Sequence, residues 1–319
     1  MTRARDLADG ADKDITGTLT TDGLTVAGNV SVDGGTIKLD GNYPTGSNNV
    51  ALGNAALDDG SLSGGNNVAV GTDSMTATTS GNQNAAAGNA SLYTNTTGSN
   101  NAAFGNKSLF LNTTGTSNTA LGLQALYNNT TANHNVGVGK DALLANTTGS
   151  ENTAVGTQAL AANTTASNNT AVGYQALDAN TTGSENVAIG AAALSAATTA
   201  SSNVAIGHQA LRLNTVGDRS TAVGAYSLYS QNPSSNADMY NTAVGYNAMF
   251  ANTTGTENVA LGALALDANT TASNNVAVGR HALGTNTTGA SNTACGDAAL
   301  YLNTTGDQNT AVGANALIA

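Results

Sequence analysis

Residues 152–168 read Asn152-Thr-Ala-Val-Gly156-Thr-Gln-Ala-Leu160-Ala-Ala-Asn163-Thr-Thr-Ala166-Ser-Asn168, and Asn169 begins the same pattern again. The glycine of this unit falls at 53, 71, 88, 105, 122, 139, 156, 173, 190, 207, 224, 245, 262, 279, 296 and 313. Successive positions are 17 apart, except for one step of 18 and one of 21. A period near 20 marks a solenoid, in which each repeat is one coil that buries its apolar face against its neighbours. The expected fold class is all-β: a parallel β-solenoid (β-roll or β-helix) of 16 rungs over residues 49–319, with a loop insertion at 229–240.

The columns of the array turn the pattern into geometry. The residue before the glycine is always apolar (Val155, Val172, Ile189, Leu261), and four residues after it stands Leu, or Met at 75 and 249. These two columns are expected to form the interior of each coil. Between the Val column and the Thr/Val column that precedes it lies Ala, replaced once by Gly137, so the short strand is apolar or small on both faces. A strand with two dry faces needs two partners; the Ala face suits close approach of another chain, which implies a homo-oligomer about a long axis. The glycine suits positive φ, and Asn163-Thr164-Thr165-Ala166 and its copies suit turns. Asn stacked rung on rung suits side-chain amide ladders. At ~4.8 Å per rung the array would be a rod of roughly 75 Å.

Composition excludes several functions. Of 319 residues 9% are charged, 4% are aromatic and none is Trp, while 38 are Gly. A net charge of -11 with nine scattered bases argues against a binder of nucleic-acid phosphates. The single Cys295 offers neither a disulfide nor a thiolate metal site. No cofactor and no metal are expected. Residues 1–30 hold no apolar run of signal-peptide length, and no run approaches a membrane span.

Residues 1–48 stand apart. Met1–Asp14 is the one charge-dense stretch, and from Ile15 to Gly34 apolar and polar residues alternate between glycines, as in short strands and tight turns. This segment is expected to be a stem or attachment region.

Asn186-Val-Ala-Ile-Gly190 and its copies resemble the head repeat of trimeric autotransporter adhesins, a parallel β-roll trimer with somewhat shorter rungs. A closer resemblance is to tail-fibre and tail-spike proteins of bacteriophages, especially cyanobacterial ones. Arg3-Ala-Arg-Asp-Leu-Ala-Asp9, followed by Ile15-Thr-Gly-Thr-Leu-Thr-Thr-Asp-Gly-Leu-Thr-Val26, is similar to their virion-proximal segment, and the Asn-Thr-Ala-Val-Gly rungs to their shafts. The resemblance covers nearly the whole chain. It implies a homotrimer in the virion, attached to the tail, baseplate or an adaptor through residues 1–48, with Arg3, Arg5, Asp6 and Leu7 as attachment candidates. It also implies a host surface glycan or outer-membrane receptor as the distal partner, and in many such fibres a C-terminal chaperone that is cleaved away, which the stop at Ala319 would fit.

Candidate contact residues come from aligning rungs. Tyr93, Phe110 and Tyr127 occupy one column in successive rungs and should form an aromatic ladder, suited either to sugar contact or to packing against a subunit or the solenoid wall. The 21-residue step inserts a polar loop with aromatics, whose candidates are Tyr229, Asn232, Asn236, Asp238 and Tyr240. Chemistry has one arrangement to weigh: His134 and Glu151 share a column in adjacent rungs, and Glu185 lies two rungs from Glu151, ~9.5 Å by the strand spacing and near the separation of an inverting glycosidase pair. No concave site is implied around them, and no catalytic residue is expected. His208 and His281 read as solvated corner residues, and Cys295 as an inert core substitute for Val.

The leading expectation is a structural, adhesive tail fibre that performs no chemistry. Its alternatives are a tail-spike depolymerase and a bacterial surface adhesin head. Ice binding is disfavoured, because the Thr pairs sit in corners rather than on an exposed strand.

Overall fold

A computed structural model describes residues 46–318. Arg3, Arg5, Asp6, Leu7 and nearly all of the expected attachment segment lie outside the described residues. Sixteen three-residue strands, from Val50–Leu52 to Thr310–Val312, stack in chain order into one parallel sheet. That is about fifteen turns of solenoid, and no helix occurs among the described residues. Register is unshifted from coil to coil: Thr153, Ala154 and Val155 pair with Thr170, Ala171 and Val172.

Backbone groups outside the strands are also paired between coils. Leu160 N–H donates to Ala176 O at 3.0 Å and Ala162 N–H to Asp178 O at 3.0 Å on one side, while Gln158 N–H donates to Lys140 O at 2.9 Å on the other. The Thr column doubles this ladder, because Thr164 donates both its N–H and its Oγ1–H to Thr181 O, each at 3.1 Å. Three non-glycine positions per coil hold φ near the left-handed region: Gln158 at 59°, Leu160 at 52° and Asn168 at 62° in one coil. Each such residue costs about 1 kcal/mol. The inter-coil hydrogen bonds offset it, and burial of the Leu side chain contributes roughly 2 kcal/mol more.

The interior differs from the expected one. The Leu/Met column is buried, but its companion is the Ala column, with Ala154, Ala171, Ala188 and Ala205 fully buried. The Val/Ile/Leu column before the glycine and the Thr/Val column both point away from the coil, so the strand pattern is intermediate-buried-intermediate at Thr153–Val155 and Thr170–Val172. Size decides it: the coil is so narrow that Leu from the opposite wall leaves room only for a methyl, and Val would overpack it. Cys295 accordingly lies on the exposed sheet face, not in the core.

Two columns of Asn complete the interior. Asn152 Nδ2 donates to Ala166 O at 2.8 Å and closes its coil, while Asn152 Oδ1 accepts the Asn169 backbone N–H of the next coil at 3.0 Å. From the other side, Asn163 Nδ2 donates to the same Ala166 O at 3.1 Å and to Asn146 Oδ1 at 2.8 Å. Both side chains are fully buried, and the amide is the group that can donate and accept at once along a stack.

Where the second ladder loses its Asn, a defect appears. Ala197 occupies the column after Asn180, and Asn180 Oδ1 is buried without a partner. Ala197→Asn restores the donor and is expected to stabilise the array by about 1 kcal/mol, read as a higher urea midpoint. A lower midpoint would mean that the amide does not fit the gap.

Candidate functional site

The strand-facing surface and the turns that follow each glycine carry the groups able to meet another molecule. Tyr93, Phe110 and Tyr127 do form the expected ladder: ring centroids are 5.2 and 5.0 Å apart, with interplanar angles of 6° and 12°. Stacked this way, the rings cover one another's faces, and all three are half-buried. Both faces of Phe110 are occupied, which leaves mainly edges for a ligand. Such pairs contribute about 1 kcal/mol each, so the ladder has a sufficient role in holding the turns together.

Tyr229, named above as a loop residue, belongs to a second aromatic cluster. It stacks on Phe250 at 5.1 Å and accepts a hydrogen bond from Arg212 Nη1 at 3.1 Å. Tyr226 meets His208 edge-on at 5.2 Å and Tyr246 edge-on at 6.2 Å. His208 is therefore not a solitary corner residue. The clue was available in sequence, because His208 and Tyr246 share the column after the glycine and Tyr226 stands one column on.

The inserted loop is tied down rather than free. Ala237–Asp238 pairs in parallel with Gly217–Asp218, and Pro233 and Met239 are buried. Gln231 replaces Asn in the interior ladder and Ser220 replaces Asn in the facing one. The longer amide reaches the shorter hydroxyl at 3.0 Å and accepts from Asn241 at 2.9 Å, so the ladder continues past the insertion. Asn232 Oδ1 accepts both the N–H and the Oγ1–H of Thr215. Asp238 pairs with Arg219 and accepts the Tyr240 hydroxyl hydrogen bond at 3.0 Å. That carboxylate is the main reason the Arg219 guanidinium holds its proton more tightly than usual. Asn236 and Tyr240 remain exposed at the loop surface.

The acidic column gives no convergent site. His134, Glu151 and Glu185 are exposed along one corner, and Ser202 Oγ donates to Glu185 Oε2 at 3.2 Å. Among the described residues no group of three His, Cys, Asp or Glu is placed to hold a metal ion. Asp178 and Asp267 are different: both are half-buried in the turn column, and burial raises their carboxyl pKa above the ordinary value.

The outward sheet face repeats strand after strand along the array. Its columns run Val187 and Ile189, Val204 and Ile206, Val259 and Leu261, and include Leu121 at 49% and Leu261 at 50% exposure. Val and Thr share this face on other strands, where the outer residues are half-buried. Searches against protein-family models, curated proteins and solved structures return no match to this chain.

Proposed function

We propose that the chain is the shaft of a trimeric adhesive fibre, a bacteriophage tail fibre or spike component, in which the outward sheet faces of three copies pack on one another. The observation that supports this reading is the row of apolar side chains on sixteen parallel strands, much of it left exposed among the described residues. A second and third copy fit it better than an unrelated partner, because the surface repeats once per coil and parallel copies match it rung for rung. The interface assignment is the reverse of the one expected from sequence: Val, Ile and Leu face the neighbours, and Ala faces the chain's own core.

In this reading residues 1–48 dock on the tail, the solenoid sets the reach, and the turns and the loop at 229–240 meet a host surface glycan or outer-membrane receptor. The work is adhesive and structural. A depolymerase would need convergent acids, and the exposed corner at Glu151 and Glu185 is a poor place for them. Native mass spectrometry tests the assembly: the expected species is near three times the 31.3 kDa chain mass. A stable monomer at micromolar concentration would refute the fibre model.

A further inference from the structure

Three side-chain columns tie each coil to the next, and they lapse together at one boundary. In the first, the Asn at the head of a coil accepts the backbone N–H at the head of the following coil, as Asn152 does from Asn169. The bond is made at every boundary from Asn49 to Asn309 except that between Ser220 and Asn241. There the Ser220 hydroxyl is engaged by Gln231, and the N–H of buried Asn241 has no acceptor among the described residues.

In the second column, Asn side chains bond one another from Asn95 to Asn180 and again from Asn252 to Asn303. Between these runs Ala197 has no amide, Asn214 closes both of its groups on Gly217, and Gln231 turns to Ser220 and Asn241. In the third, each Thr Oγ1–H bonds the Thr carbonyl oxygen of the next coil, from Thr79 to Thr215 and from Thr253 to Thr304. Asn232 stands between them: its Oδ1 accepts from Thr215, and its side chain sends no bond to Thr253.

The backbone is unaffected. The N–H groups of Thr221, Leu228, Gly245 and Asn247 cross this boundary to Asn241, Ala248, Val223 and Ala225 at 2.8, 3.0, 2.8 and 3.1 Å. Their counterparts between the coils of Asn152 and Asn169, donated by Thr153, Leu160, Gly173 and Gln175, measure 2.8, 3.0, 2.8 and 3.1 Å. The difference therefore lies in the side chains. Gln231 accepting from Asn241, and the ring contacts of Tyr229 with Phe250 and Tyr226 with Tyr246, keep the two coils together when closed. Thr221–Val223 pairs with Thr242–Val244 without a shift, so closure has one register. Solenoid stability is a sum over neighbouring coils, and the array parts where one interface is weakest.

We propose that the boundary between the coils of Ser220 and Asn241 is a joint: the solenoid opens there first, and the coils before and after it unfold as separate cooperative blocks. This rests on bonds within one chain rather than on the fibre reading.

Hydrogen exchange of the full chain, followed residue by residue in urea below the global transition, tests it. Thr221, Leu228, Gly245 and Asn247 are expected to exchange at least about tenfold faster than Thr153, Leu160, Gly173 and Gln175, and to share one urea dependence smaller than that of global unfolding. Replacing residues 220–240 with the sequence of residues 152–168 restores all three columns. In that chain Gly245 and Asn247 should slow to the rates of Gly173 and Gln175. Equal protection of the two sets in the wild type, or fast exchange confined to residues 232–240, would refute the joint. Fast exchange at Gly245 and Asn247 that persists in the replaced chain, folded by circular dichroism, would refute it as well. If the replaced chain does not fold, the wild-type comparison decides.

Discussion

Gly173→Ala is expected to open the solenoid around its own coil. Gly173 has φ +136°, far from the left-handed value near +57° that other residues tolerate. A Cβ there would lie 2.6 Å from the carbonyl oxygen and 2.7 Å from the carbonyl carbon of Gly190, the equivalent residue of the next coil. Neither atom can move away, because both belong to a backbone bonded on each side. Strain and clash together should cost about 4 kcal/mol. Hydrogen exchange of amides in the Gly156, Gly173 and Gly190 coils should then accelerate by about a thousandfold. The same change at solvent-facing Thr157 should leave exchange near wild type. Protection within tenfold of wild type at Gly173→Ala would show that the coils can separate without loss of pairing.

The second large effect is expected from the interior amides. Asn152→Ala leaves the Asn169 N–H buried without its acceptor and removes one of the two donors to Ala166 O. An orphaned donor plus the small void should cost about 3 kcal/mol. Asn152→Asp separates hydrogen bonding from packing. The carboxylate still accepts from Asn169, but it faces Ala166 O and Asn135 Oδ1, both acceptors, so the folded state disfavours its charge and raises its pKa. Stability is then retained below the ordinary carboxylate value of about 3.9 and lost as pH rises through the raised folded value. Urea melts of Asn152→Asp should thus converge on the wild type at acid pH, whereas those of Asn152→Ala should not. Parallel pH profiles for the two variants would refute the donor role of Asn152.

The period was legible because one coil cannot form without the next, so each structural position is written sixteen times. Repetition exposed the parallel solenoid, the buried Leu column and the amide ladder. It did not expose the facing of the strand. Thr153-Ala-Val155 is only three residues long and apolar or small at both outer positions and the middle one, so alternation carries no sign. What settles the facing is volume, since Leu160 and Ala154 share an interior too narrow for Leu and Val together. The same limit hid the left-handed Leu160, because nothing in a leucine announces positive φ.

The turn groups were legible only in part, for a different reason. Tyr93, Phe110 and Tyr127 are adjacent within one column and stand out at once. Tyr174, His208 and Tyr246 alternate with alanines, and Tyr226 reaches them from the next column. Their relation depends on how far each side chain extends between columns. The loop at 229–240 was visible as extra length, but the compensation of Gln231 with Ser220 depends on two departures from consensus, 11 residues apart, meeting across the coil.

Because the bonds between coils join residues 16 to 18 positions apart over most of the array, the distance the chain must search while folding does not grow with the number of coils. Closing a 21-residue step instead of a 17-residue one adds only about 0.2 kcal/mol of entropy. Once a first pair of coils has formed, each further coil finds its template already set, and folding advances as a zipper in one dimension. The rate-limiting event is then the start, and lengthening the array by whole coils should leave its probability per site unchanged. A solenoid built on this plan can change its length in quanta of one coil without relearning how to fold.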